Sequence, residues 1–138
     1  MRKISFIAIF FSFLLISAGC KKDSSGGGGG GTTSDSPSII QITTPASGGI
    51  YFNGATLQVR GNITDINGLT SAKLEIKNSG GTVLYQSNTL TGSVTYFNLL
   101  WDWTVSGIVG SVPATVVVTA TDYNSKVITK SVDITLTD

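Results

Sequence analysis

Residues 71–78 read SAKLEIKN, and this stretch decides the fold class because its apolar and charged residues alternate strictly. Side chains of a β-strand point to opposite faces in turn, so Ala72, Leu74 and Ile76 share one face and the charged residues share the other. An α-helix would instead need apolar residues three and four positions apart. The stretch therefore predicts a β-strand with one buried face and one solvated face.

The same period of two recurs on both sides of residues 71–78. In residues 56–64, Gly61 falls on the inward side, which predicts a bulge or the close approach of a neighbouring backbone. Val117 makes residues 116–120 apolar on both faces, so this strand is predicted to be central. The other residues predicted to face inward are Leu57, Val59, Ile63, Phe97, Leu99, Trp101, Trp103, Val105, Val116, Val118, Ala120, Ile128, Val132, Ile134 and Leu136.

Turn residues separate these segments, as at residues 44–49, 65–68, 79–82, 107–113 and 122–125. Short strands with turns between them, over about a hundred residues, are typical of a seven-stranded Greek-key β-sandwich. Residues 38–138 are thus predicted to form one all-β domain. A closed barrel of similar strand count is the alternative.

Three segments, ITTP at residues 42–45, TDINGL at 64–69 and VTATDYN at 118–124, resemble bacterial immunoglobulin-like (Ig-like) and cadherin-like modules. The resemblance covers nearly all of residues 38–138 and implies an Ig-like or fibronectin III-like sandwich. The paired cysteines of true immunoglobulin domains are absent, since the chain has one cysteine. Modules of this kind often belong to lipoproteins of Bacteroidota, including small families of unassigned function.

The beginning of the chain has the pattern of an export signal. A positive Met1-Arg2-Lys3 precedes an apolar run from Ile4 to Ile16, and small residues follow it. The run has thirteen residues, fewer than the ~20 that a membrane-spanning helix needs. Residues 1–19 are therefore predicted to be a cleaved signal peptide.

Ala18-Gly19-Cys20 after this apolar run resembles the lipobox of bacterial lipoproteins. The resemblance implies that the Cys20 thiol is diacylglycerylated, that cleavage makes Cys20 the first residue, and that fatty acids such as palmitate anchor it in a membrane. Ser17 departs from the pattern, where an aliphatic residue is usual. The alternative is an ordinary signal peptide with a cysteine nearby, although an odd thiol in an exported protein needs an explanation.

Residues 20–37 are predicted to be the lipidated cysteine and a disordered linker, because the glycine run from Gly26 to Gly31 has nothing to bury. No lysine follows as in a phosphate-binding loop. Lys21-Lys22-Asp23 resembles the signal that sends Bacteroidota lipoproteins to the cell surface. We expect a cell-envelope location at the outer membrane, on either its surface or its periplasmic face.

The sequence excludes most catalytic chemistry. The chain has no histidine, and its one cysteine is assigned to lipid, so Ser–His–Asp and Cys–His sites and histidine-ligated zinc cannot form. A carboxylate pair would still need a substrate cleft, for which a sandwich of this size leaves little chain. We therefore expect no enzyme activity. The carboxylates available for such a pair are Asp65, Glu75, Asp102, Asp122 and Asp133.

A calcium site is the one metal hypothesis that the sequence supports. In an Ig-like sandwich, the loop with Asp65 and Asn67 lies at the same end as the loop with Asp122 and Asn124. Calcium binds such carboxylate and amide oxygens. The alternative is that these four residues only cap their own turns.

Aromatic residues supply the candidate binding surface. Trp101 and Trp103 share a strand face with apolar residues and are predicted to be core, whereas Tyr51 and Phe52 lie between glycine-containing turns and form a candidate contact patch. Nucleic acid is excluded, because the chain from Cys20 has seven basic and eight acidic residues and no basic stripe.

Together these features predict a membrane-anchored lipoprotein that presents one Ig-like module for non-covalent binding or adhesion. The expected partners are the membrane, through Cys20, and a protein or glycan of the envelope. A structural envelope lipoprotein without a specific ligand is the alternative.

Overall fold

The computed structural model describes residues 38–138, and the predicted signal peptide, Cys20 and linker lie outside this range. The described residues form strands and no helix, so none of their segments is a helix that could cross a membrane. The strands are β1 (Ile39–Thr44), β2 (Gly49–Phe52), β3 (Thr56–Asn78), β4 (Val83–Thr104), β5 (Ser111–Asp122) and β6 (Val127–Thr137).

Strands β3 and β4 are long enough to serve both layers of the fold. In the first layer, the beginning of β3 (residues 56–64) pairs with the end of β4 (residues 96–104) and also with β1. In the second layer, the end of β3 (residues 71–78) pairs with the beginning of β4 (residues 83–90) on one side and with β5 on the other. Strand β5 then pairs with β6, and β6 with β2. All these pairs are antiparallel except β2 with β6. The predicted all-β, Ig-like sandwich is confirmed, and β1, β2 and β4 each have an unpaired edge, so the described sheet does not close into a barrel.

Within residues 38–138 the structure has six strands where seven were predicted, because two pairs of predicted strands are continuous, in β3 and in β4, and strand β2 was not predicted. Residues 65–68, predicted to be a turn between two strands, are a bend within β3, where the pairing with β4 jumps from Thr64 to Leu69. Gly68 has a φ of +90° there, which glycine adopts readily because it has no Cβ. The strand is redirected to the other layer without a true break, so two predicted strands are one.

The core lies between the two layers and matches the predicted inward faces. Ala72, Leu74 and Ile76 are fully buried, and the predicted central strand β5 lies between β3 and β6. Ile128 and Val132 are only partly buried at the core's margin. The buried apolar residues are Ile40, Leu57, Val59, Ile63, Leu69, Ala72, Leu74, Ile76, Leu99, Trp101, Val105, Ile108, Ala114, Val116, Val118, Ala120, Ile134 and Leu136.

Gly61 shows the close backbone approach that the sequence predicted. Its φ is +151°, and a Cβ at this position would lie 1.9 Å from the carbonyl oxygen of Gln41 in β1. The register between β1 and β3 shifts next to it, between Ile42 and Thr44. The missing side chain therefore lets β1 lie against β3.

The chain enters the sandwich at Ser38, whose hydroxyl donates a hydrogen bond to the Asp65 carboxylate. At the same end, the backbone N–H of Tyr123 donates to the carbonyl of Gly68 at 2.8 Å, and the Thr91 hydroxyl donates to the carbonyl of Leu69. We name this the entry end. It comprises residues 38–39, 65–69, 90–94 and 122–127.

The far end is held together by contacts among the opposite turns. The Ser79 N–H donates to the carbonyl of Pro113 at 3.1 Å, and the Gly54 N–H donates to that of Val105 at 2.8 Å. Residues 69–78 span the second layer from one end to the other, which is roughly 30 Å at 3.3 Å per residue. The far end comprises residues 52–55, 79–82 and 105–113.

Candidate functional site

The far end carries an exposed apolar surface at the end of β2. Ile50 and Phe52 alternate with Tyr51, so they share the outer face of this edge strand and are 62% and 58% exposed. Val109, in the loop after β4, is 86% exposed. We name Ile50, Phe52 and Val109 the far-end patch.

Asn53 fixes the two loops of the far-end patch against each other. Its side-chain Nδ2 donates to the carbonyl of Ile108 at 2.8 Å, and its Oδ1 accepts from the Ile108 N–H at 3.2 Å. Ile108 is buried in the core, and the Asp138 N–H donates to the carbonyl of Gly110 at 3.3 Å, so Val109 lies between two anchored residues. Because the loops are tied before any ligand arrives, binding there would require little ordering of the backbone.

The structure separates the two residues of the predicted contact patch. Phe52 is exposed, but Tyr51 is partly buried and packs against the core. Burial raises the pKa of the Tyr51 hydroxyl above its ordinary value. Consecutive residues of a strand face opposite ways, so only Phe52 of this pair belongs to the outer surface. Val109 was missed, although an Ile-Val pair between Gly107 and Gly110 was a sequence signal for an apolar loop tip.

The tryptophans belong to the interior, as predicted. Trp101 is 8% exposed and lies 6.2 Å from Phe97, measured between ring centroids. Trp103 is partly buried and stacks on Tyr85 at 5.6 Å. Their surface is used in packing within the fold, so they do not add to the far-end patch.

At the entry end, the residues of the calcium hypothesis make turn-capping hydrogen bonds. Asp65 Oδ1 accepts from the Asn67 N–H at 2.6 Å, and its Oδ2 accepts from the Ser38 hydroxyl. Asp122 Oδ1 accepts from the Lys126 N–H at 2.7 Å. Three of the four carboxylate oxygens thus have protein donors, which is the pattern that the capping alternative predicts.

Two polar atoms at the entry end remain buried without a hydrogen-bond partner, Asp122 Oδ2 and Asn67 Nδ2. Asn124 is exposed in the turn that follows Asp122. Within residues 38–138, no group of three or more carboxylate, histidine or cysteine side chains is placed to hold a metal ion. Calcium usually takes six to eight oxygens, so the calcium site stays a prediction with few free ligands.

The three other candidate carboxylates, Glu75, Asp102 and Asp133, lie in separate contacts. Glu75 forms ion pairs with Lys73 at 2.8 Å and Lys77 at 3.1 Å, which lie two residues away on the same strand face. The hydrogen bond from Lys73, and then that from Lys77, lowers the pKa of Glu75 below its ordinary value. Asp102 pairs with Arg60 at 2.5 Å. Asp133 accepts from the Thr115 hydroxyl at 2.9 Å.

Comparison with known proteins gives structural likeness only. No protein-family model and no curated protein sequence matches the chain. The chain is similar in structure to fibronectin(III)-like modules of Clostridium thermocellum CbhA, with a TM-score of 0.46 and 14% identity over 72% of this chain and 45% of that one. It is also similar to CopC from Methylosinus trichosporium OB3b, with a TM-score of 0.44 and 12% identity over 73% of this chain and 94% of that one.

Proposed function

We propose that this protein is an envelope lipoprotein, anchored through acylated Cys20, that presents its Ig-like sandwich for non-covalent binding or adhesion. The observation that carries the proposal is the placement of the chain entry and the far-end patch. Ser38 enters at one end, whereas Phe52 and Val109 are exposed at the other, roughly 30 Å away. A membrane anchor upstream of Ser38 would leave the far-end patch directed away from the bilayer.

The far-end patch has the properties of a small binding surface. Phe52 offers a large apolar side chain with few rotatable bonds, which loses little conformational entropy on binding. Val109 extends the apolar area, and the double hydrogen bond of Asn53 fixes the loop beneath it. Aromatic side chains pack against protein surfaces and also stack on sugar rings, so a protein or a glycan of the envelope is the proposed partner.

The alternative proposal is a structural envelope lipoprotein without a specific ligand. It would explain the strands' outer faces, which carry threonine, serine and asparagine at many exposed positions. The two proposals differ in one respect. A binding module loses its partner when the far-end patch is made polar, whereas a structural one has no partner to lose.

Binding can be tested with residues 38–138, which contain every side chain of the core described above. A cooperative melting transition should first establish that this segment is folded. It is then applied to fractionated envelope proteins and, separately, to a glycan array. The Phe52→Ser and Val109→Ser variants should lose the partner that the natural segment captures.

The matched control is Leu100→Ser, because Leu100 is 71% exposed on β4, outside the far-end patch. It should retain binding. A partner that survives both patch variants would place the binding surface elsewhere. The absence of any partner in both assays would favour the structural alternative.

Anchoring is tested separately in cells grown with an alkyne analogue of palmitate. The natural chain should incorporate the label, and Cys20→Ser should lose it and accumulate as the longer precursor. Normal anchoring of Cys20→Ser would refute the lipoprotein proposal. Protease treatment of intact cells distinguishes the two faces of the outer membrane, since a domain on the periplasmic face is protected.

A further inference from the structure

The entry end is unusually apolar for a set of turns. Ile66 lies on the bend of β3 and is 65% exposed, and Tyr123 lies in the turn before β6 and is 69% exposed. Leu90 is 83% exposed and lies just before residues 92–93, where β4 bends with φ angles of +68° and +65°. Val127 adds a side chain that is 59% exposed. Turns are normally polar, so large exposed apolar residues from three separate segments at one end indicate a contact surface.

Exposed charge is nearly missing from the same segments. The charged residues of the entry end are Asp65, Asp122 and Lys126. Asp65 and Asp122 are 4% and 1% exposed and accept the hydrogen bonds described above, and Lys126 is half-buried. No exposed carboxylate would therefore meet an anionic headgroup at this end.

The apolar side chains of the entry end project from segments that are tied to one another. Besides the hydrogen bonds of Tyr123 and Thr91, the Thr70 hydroxyl lies 3.1 Å and 3.2 Å from the carbonyls of Thr121 and Asp122. Gly68 packs closely on Ser93, where an added Cβ would lie 3.1 Å from the carbonyl oxygen. The surface is preformed, so contact with a ligand would require little ordering of the backbone.

The position of the chain entry identifies the occupant of this surface. Residues 1–37 join the sandwich at Ser38, and the proposed acyl chains are on Cys20, eighteen residues earlier. Even a fully extended segment of this length reaches no more than about 65 Å. The entry end is the end to which the proposed anchor is joined directly, so we expect this end to face the bilayer in preference to the far end.

We propose that the entry end rests on the membrane that holds the Cys20 acyl chains, with Ile66, Leu90 and Tyr123 inserted at the level of the lipid headgroups. Tyrosine favours this interface because its ring is apolar and its hydroxyl is polar. A second membrane contact also makes anchoring by acyl chains more persistent. This inference rests on the proposed lipoprotein function and extends it, because it fixes the orientation in which the far-end patch is presented.

The test uses the intact chain in cell membranes and one introduced thiol at a time. In the lipidated protein Cys20 carries a thioether, so Leu90→Cys has one reactive thiol at the entry end. The matched control is Leu100→Cys, since Leu100 is 71% exposed on β4, outside both the far-end patch and the entry end, and Leu90 is 83% exposed. We expect a water-soluble maleimide to label the control variant, and labelling of Leu90→Cys to be lost until detergent dissolves the membrane.

Equal labelling of the two variants in intact membranes would overturn the inference. A bound protein could also protect the entry end, so the purified lipidated variants are placed in vesicles of phosphatidylethanolamine and phosphatidylglycerol. Protection of Leu90→Cys in these vesicles supports direct membrane contact. Protection in cells but not in vesicles assigns the entry end to a protein partner and refutes the proposal.

The natural chain distinguishes failure of this inference from failure of the proposed function. Its only cysteine is Cys20, so maleimide labelling of the denatured natural protein would mean that Cys20 is not acylated. In that case the lipoprotein proposal fails, and the entry-end contact fails with it. An unlabelled natural protein together with a freely labelled Leu90→Cys variant overturns the membrane contact alone.

Discussion

Among the glycines of residues 38–138, Gly61 should be the one whose replacement by alanine destabilises the sandwich most. The new Cβ would lie 1.9 Å from the carbonyl oxygen of Gln41 and 2.9 Å from its carbonyl carbon. Both neighbours are backbone atoms of β1, so no side-chain rotation can relieve the overlap. Either β1 moves away from β3, or the φ of +151° changes and the strand is redirected.

The expected loss in the free energy of unfolding has two parts. A non-glycine residue in this backbone conformation costs about 1–3 kcal/mol. Separating β1 from β3 would also disturb the pairing around Ile42 and expose part of Ile40, and a partly buried aliphatic side chain contributes about 1–2 kcal/mol. We expect a loss of about 2–5 kcal/mol in the free energy of unfolding, which lowers the Tm by about 8–40 °C in a domain of this size.

The assay is thermal and urea unfolding of residues 38–138, followed by circular dichroism. Gly81→Ala is the matched control, because Gly81 has a φ of +81° but nothing within 4 Å of an added Cβ. It should lose only the conformational part, about 1–2 kcal/mol. A cost for Gly61→Ala no greater than that for Gly81→Ala would refute the idea that the close approach of β1 limits this position.

Three further outcomes are expected. Leu74→Ala should lower the free energy of unfolding by about 2–5 kcal/mol, because Leu74 is fully buried and its removal leaves a cavity, as urea unfolding would measure. The pKa of Glu75 is lowered from an ordinary value of 4.5, so the ionised Glu75 stabilises the fold above that pH, and this stabilisation is lost as the pH falls through the lowered pKa. Glu75→Gln should therefore make the free energy of unfolding depend less on pH in the acid range. EGTA should leave the Tm unchanged if Asp65 and Asp122 only cap turns, whereas a drop in Tm that Asp65→Ala abolishes would establish the calcium site.

The candidate surfaces could be predicted only in part. Tyr51 and Phe52 were recognised as unusual, but the pattern did not show which of them is exposed, since that depends on which face β2 turns to the core. The sequence pattern did not identify Val109, because its loop is brought to the strand of Phe52 by hydrogen bonds between Asn53 and Ile108, which are fifty-five residues apart in sequence. Likewise, Ile66, Leu90 and Tyr123 are unremarkable in sequence and form one surface only after the bends of β3 and β4 meet the turn before β6.

The sequence by itself determined the all-β class, the inward faces of the strands and the need for glycine at position 61. These follow from local rules, because a period of two and a missing side chain act within one strand. Only the tertiary structure decided that residues 65–68 bend β3 without breaking it, and which turns share an end of the sandwich. Those features depend on pairing between distant segments, whose register is set by burying all the apolar faces at once.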